Sequence, residues 1–210
     1  MRPPGEYRAN SAGVGMPLLA WRNDADGFAF VNSWAFDASE RAALAGIAQS
    51  VVAPTVIATV GAIVPDPILV SAVTAAASVA AAYPAAGPLP TYGMCGGMAY
   101  ASLDYWHARM VLPRGAGQSD EPTRATPTSA AIRNMIWQRL LDSLTGGGVL
   151  QRTLEWSLLL NNVPAWAGGG PGALLSRTQS EWALLRSRID SGQPSPIGLI
   201  YTGRSVWDQH

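Results

Sequence analysis

The sequence predicts a helix-rich α+β fold, with helices packed beside a small antiparallel sheet, complete or incomplete. Three observations carry that expectation: apolar side chains recur at helical spacing over much of the chain, short β-patterned runs stand near its two ends, and Pro/Gly clusters punctuate the intervals. With 210 residues, 48% apolar and only 13% charged, the chain can bury a core of ordinary size, and disorder is excluded because it needs low hydrophobicity and high net charge. The reading is one domain over 21–210 after a flexible tail at 1–20, whose Pro, Gly and small polar residues pack late or not at all.

The elements follow in order. Gly27 to Trp34 alternates, with Phe28, Phe30 and Asn32 on one face and Ala29, Val31 and Ser33 on the other, and predicts a short strand. Asp37 with Glu40 three positions later approximates a capping box and starts a helix. From Ala42 to Ala86 the sole charged residue is Asp66. Ala42 to Val64 has the length of a membrane span on a crude count, but Gln49, Ser50, Thr55 and Thr59 interrupt it and Pro54 lies in its middle. The 42–86 region therefore predicts two or three short buried helices, with a membrane-inserting hairpin as the less favoured reading.

A Pro/Ala/Gly connector over 84–90 leads to Thr91-Tyr92-Gly93-Met94-Cys95-Gly96-Gly97-Met98, and a helix runs from there to Met110. Residues 113–128, rich in Pro, Gly, Ser, Thr and charge, predict an exposed loop. Ile132, Met135, Ile136, Leu140 and Leu144 mark a helix over 129–144 that Gly146-Gly147-Gly148 stops. Leu150 to Leu160 is a further apolar helix, Val163 to Gly172 an irregular loop, and Ser176 to Asp190 a helix carrying Trp182, Leu185 and Ile189 on one stripe. The turn Ser191-Gly192-Gln193-Pro194 ends it, and Pro196 to Tyr201 predicts a second strand.

Composition narrows the chemistry. Fourteen arginines and no lysine balance fourteen carboxylates, so no basic patch points to a nucleic-acid partner. One cysteine and two histidines leave no disulfide framework and no Cys-built zinc site, and no metal or cofactor is expected. The first ten residues carry arginines without a following apolar core, which predicts either a cytoplasmic protein or export without a classical leader. The glycine-rich runs at 146–148 and 168–172 lack the Lys-Ser/Thr of a phosphate loop.

Cys95 is the most informative position. In the first turn of a helix a thiol faces unpaired backbone N–H groups and the positive end of the macrodipole, a setting that favours the thiolate. Gly96 and Gly97 remove side chains where a substrate carbonyl would approach, and the free N–H groups offer an oxyanion site. A lone cysteine is more often a buried, inert helix residue. A nucleophilic thiol also needs a base. His107 follows Cys95 by twelve positions on one helix, roughly 18 Å along the axis at about 1.5 Å per residue, and reads as a structural histidine. His210 is the remaining candidate.

Tyr92-Gly93-Met94-Cys95-Gly96-Gly97-Met98-Ala99-Tyr100, followed by the Gly192-Gln193-Pro194 turn, Ile197 to Ile200 and then His210, resembles the papain-like cysteine peptidases, above all the bacterial sets in which Cys-Gly opens the central helix. The resemblance implies a papain-like domain that hydrolyses peptide or amide bonds in a peptide or protein substrate. Cys95 would be nucleophile and His210 general base. The upstream glutamine of that family is replaced by Pro88-Leu89-Pro90, so Tyr92 or the N–H groups of Gly96 and Gly97 would serve the oxyanion. The orienting Asn or Asp normally follows the histidine, and the sequence stops at His210, which implies a truncated chain. Asn32, in an Asn32-Ser33-Trp34 run like the family's orienter, would serve under circular permutation; Asp208, two residues before His210, is the other candidate. Two further readings stay open: a membrane-active or partner-binding helical protein with a structural cysteine, and a catalytically inactive papain-like relative.

Overall fold

The computed structural model describes residues 21–59, 61, 67, 70, 74, 93–114, 122–123, 125–146, 149–161 and 165–199. Among these residues six α-helices form: α1 (Asn23–Asp26), α2 (Ala38–Thr59), α3 (Cys95–Ala108), α4 (Pro127–Thr145), α5 (Val149–Asn161) and α6 (Gly170–Asp190), with a 3-10 turn at Ala165–Ala167. They fall into two compact units, one holding α1, α3, α4 and the end of α6 from Arg186, the other holding α2, α5 and α6 up to Leu185.

In the first unit α3 packs along α4, and α1 touches α3. Helix α4 starts two residues earlier than its apolar pattern announces. Thr126 is its N-cap, Thr126 Oγ1 accepts the Ser129 N–H at 3.2 Å while Ser129 Oγ accepts the Thr126 N–H at 3.2 Å, and Pro127 fills the first turn, where its missing N–H costs nothing. The buried stripe of α4 is Arg133, Ile136, Trp137, Leu140 and Ser143. Ile132, Met135 and Leu144 of the expected stripe stand at its margin, half-buried. The helix face is thus rotated relative to its apolar pattern, because a buried arginine and a buried serine occupy two core positions.

In the second unit α2 packs along α5. The capping box forms as its residues require: the Asp37 N–H donates to Glu40 Oε2 at 3.0 Å, and the Glu40 N–H donates to Asp37 Oδ1 at 2.9 Å. Leu44, Ala45, Ala48, Val52 and Val56 of α2 and Leu150 and Leu154 of α5 supply the core. Two ion pairs tie α5 to α6, Arg152 to Glu181 at 2.7 Å and Arg177 to Glu155 at 2.9 Å. Helix α6 leaves Leu175, Trp182, Leu184 and Ile189 exposed, so Trp182 and Ile189 of the expected stripe face solvent.

Several expectations are corrected. The expected α+β fold, a papain-like domain with a small or incomplete antiparallel sheet, is overturned among the described residues, which are mostly helical and contain no strand; Trp34 is an isolated bridge residue. The alternation of Phe28 to Trp34 serves an aromatic cluster instead, with Phe28 and Phe30 at 4.9 Å and Phe30 edge-on to Trp34 at 5.8 Å. The described part of the second expected strand, 196–199, is irregular. Helix α2 is one continuous 22-residue helix through Pro54, where short helices broken at the proline were expected. Ser50 and Pro54 are both exposed, so the ring and the carbonyl four residues back that it deprives of a hydrogen bond lie on the solvent side of the helix. The tail at 1–20 and most of the apolar stretch beyond Thr59 lie outside the described residues, as do 115–121 and 124 of the loop expected over 113–128; of its described residues Pro122 is buried, and Pro127 and Thr128 already belong to α4.

Candidate functional site around Cys95

Cys95 is the first residue of α3, and its side chain is exposed. The first bond inside the helix runs from the Met98 N–H to the Met94 carbonyl at 2.9 Å. Cys95, Gly96 and Gly97 precede it, so their N–H groups have no carbonyl four residues back within the helix, and no side chain caps them. Met94, the cap residue, is fully buried and anchors the turn from inside the core.

Gly96 and Gly97 have a packing role that spacing alone did not disclose. A Cβ on Gly97 would overlap the Ile136 carbonyl oxygen and come within 3.0 Å of the Leu140 amide nitrogen; one on Gly96 would overlap Ser143 Oγ. These glycines let α3 lie directly on the backbone of α4, and Ala101, fully buried one turn later, continues the seam. Arg139 of α4 locks the register from the side, donating from Nε to Asp104 Oδ2 of α3 and from Nη1 to Asp142 Oδ2 at 2.9 Å. Asp142 stands three residues from Arg139, a spacing readable in the sequence; Asp104 could be found only once α3 and α4 were paired.

Asn32 stands beside this turn. Its Oδ1 accepts the Met94 N–H at 2.5 Å and the Trp34 Nε1–H at 3.1 Å. Gly93 leaves room for the amide, since a Cβ there would be 2.8 Å from Asn32 Nδ2. Trp34 is buried, and the Arg133 guanidinium sits 5.8 Å from its ring centroid. The structure therefore brings Asn32, Gly96 and Gly97 to the Cys95 turn. Tyr92, Asp208 and His210 lie outside the described residues.

His107 occupies the opposite end of α3 from Cys95, edge-on to Trp106 with ring centroids 4.8 Å apart. Burial holds its pKa below the ordinary imidazole value, and the nearby Asp104 carboxylate opposes that shift. Burial also raises the Tyr100 hydroxyl pKa, against the pull of Arg188. Among the described residues no three His, Cys, Asp or Glu side chains gather as metal ligands. A groove of about 470 Å³ opens at the head of α4, between Phe30, Pro113, Arg114, Pro122, Thr126 and Ile132. Arg114 is held there by Gly27, accepting through its carbonyl at 2.7 Å, and Cys95 does not line the groove.

No family model matches this chain, and no curated protein or solved structure matches it either.

Proposed function

We propose that the protein is a thiol-dependent hydrolase of peptide or amide bonds, with Cys95 as nucleophile. One observation carries the reading: the sole thiol of the chain is exposed on the first residue of a 14-residue helix whose leading N–H groups are uncapped. A structural cysteine would be expected inside the core. The thiolate attacks the acyl carbon, and the oxygen gathers negative charge beside the N–H groups of Cys95 and Gly96. His210 takes the thiol proton and returns it to the leaving amine; water then releases the acyl group from sulfur. His210 has this role because the other histidine is fixed at the far end of α3. The assignment does not require a papain-like sheet.

The test is hydrolysis of a panel of quenched fluorescent peptides. The wild type is expected to cleave a subset, and Cys95→Ala and His210→Ala are expected to lose that activity. A Cys95→Ala variant with undiminished turnover would retire the proposal.

A second reading has its own support. Helix α2 is the one described helix long and apolar enough to cross a membrane by length and composition, with a mean hydropathy of 1.6 over its best window, of which 35% is buried. A partner- or membrane-binding role would use the face bearing Ala42, Ala43 and Ile57, which is exposed. Flotation with lipid vesicles separates the two: the hydrolase reading expects the protein to stay at the bottom of the gradient.

A further inference from the structure

We infer that Asn32 is a positioning residue for Cys95, clamping the cap of α3 through the Met94 amide. This role deepens the proposed function and rests on it for its chemical purpose, while the geometry stands alone. Asn32 is 62 residues away from Met94 in sequence, yet its Oδ1 accepts the Met94 N–H at 2.5 Å. Met94 has φ −109° and ψ 37°, outside the extended conformation usual for a cap residue, so the turn needs an external tie. Three anchors supply it: the Met94 side chain in the core, the Met94 carbonyl on the Met98 N–H, and the Met94 N–H on Asn32.

The tie is itself fixed. A carbonyl oxygen has two lone pairs, and the Trp34 Nε1–H takes the second at 3.1 Å. Asn32 Oδ1 is thus committed to the chain's own donors and has no lone pair left for an imidazole. Trp34 is held by Phe30 on one side and the Arg133 guanidinium on another. Gly93, immediately before the cap, is the residue that admits the Asn32 amide. A neutral amide accepts both N–H groups without placing a charge beside the first turn.

The experiment measures alkylation of Cys95 by iodoacetamide as a function of pH in wild type, Asn32→Leu and Asn32→Asp, with Cys95→Ala as blank and circular dichroism melts alongside. Asn32→Leu is expected to alkylate roughly tenfold more slowly at neutral pH, because the turn that carries the sulfur loses the acceptor that ties its Met94 amide. Asn32→Asp keeps the acceptor, so its melt is expected to match wild type while its rate profile moves to higher pH. A folded Asn32→Leu that alkylates at the wild-type rate overturns the inference. If Asn32→Leu fails to fold, Asn32→Ala, which also lacks the acceptor, is measured in its place, and alkylation at the wild-type rate by that variant overturns the inference equally. Alkylation needs no substrate, so a wild type that cleaves nothing would sink the hydrolase reading without touching this one.

Discussion

The pairs α3–α4 and α2–α5 are both two-helix seams, yet they are held by different means. At α3–α4 the backbones touch through Gly96, Gly97 and Ala101, and Arg139 bridges Asp104 and Asp142 beside them. At α2–α5 the buried residues are Leu, Ala and Val, and the one buried hydroxyl on that face of α2, Thr55 Oγ1, has no hydrogen-bond partner. Apolar contact is non-directional, so an aliphatic stripe specifies that two helices meet more strongly than it specifies their register. A glycine against a carbonyl oxygen, with an arginine fork beside it, specifies both. The seam that carries Cys95 is the specified one.

The largest test of that contrast is one substitution made in both seams. Gly97→Ala places a Cβ into the Ile136 carbonyl, an atom of helix backbone that cannot swing aside, and is expected to cost about 3 kcal/mol. Gly46→Ala in α2 meets nothing within 4 Å and replaces a poor helix former in an exposed position, so it is expected to stabilise by about 0.5–1 kcal/mol. Urea unfolding of the two variants reads both signs. Equal effects would mean that α3 and α4 are not in backbone contact.

That opposition also shows what the sequence could and could not disclose. The helices α3 to α5 and the part of α6 from Ser176 were legible in spacing and breakers, whereas the first turns of α6, from Gly170, lie where an irregular loop was expected; the Asp37–Glu40 box was legible as a cap, because it depends on residues within one turn. The α4 cap is equally local in Thr126-Pro127, but it lies ahead of the first apolar residue of the helical pattern, Ile132, and leaves no mark on that period. The expected strands failed because alternation is necessary for a strand but pairing makes it, and Phe28 to Trp34 satisfies its aromatic faces without a ladder. The sequence offers Gly96 and Gly97 as open space above a thiol, whereas the atoms that demand glycine belong to Ile136 and Ser143, some forty residues on. The Asn32-Ser33-Trp34 run suggests a partner for an imidazole, whereas the donors to Asn32 are Met94 and Trp34. Local signals were readable, and the tertiary reason for each site residue was not.

Arg139 gives the next effect in size. Arg139→Met leaves the half-buried Asp104 without that guanidinium and is expected to cost about 2 kcal/mol, after allowance for solvent around Asp142. In the other unit Arg152→Met removes the pair with Glu181, in which both partners are about half exposed, and is expected to cost under about 0.5 kcal/mol. Melting of the two variants under one buffer compares them. A loss at Arg152 as large as at Arg139 would place specific polar ties in both units.

Thr55 sharpens the comparison from the other side. Its hydroxyl is buried and unpartnered, so Thr55→Val keeps the shape and removes a desolvated polar group. The expected result is a gain of about 1 kcal/mol in urea unfolding. A loss would reveal that the hydroxyl is satisfied in solution and that the α2–α5 seam has a polar tie of its own.

The smallest effect is a dependence on pH, and it belongs to the α3–α4 unit because His107 is the one described histidine. Burial lowers its pKa in the folded protein, with Asp104 acting against the shift. Between that lowered value and the ordinary one near 6.5, the unfolded chain binds more protons than the folded one, so stability rises with pH across the window. Acidification through about pH 6.5 therefore removes stability, and above that window the histidine contributes no slope. His107→Gln deletes the titration, and the difference in melting temperature between wild type and variant isolates it from the carboxylates. That difference should be flat in alkaline buffer and turn against the wild type as the pH falls below about 6.5. Were the wild type instead to gain on the variant with acid, the attraction of Asp104 would outweigh burial, and α3 would hold a charged imidazole at the end opposite its thiol.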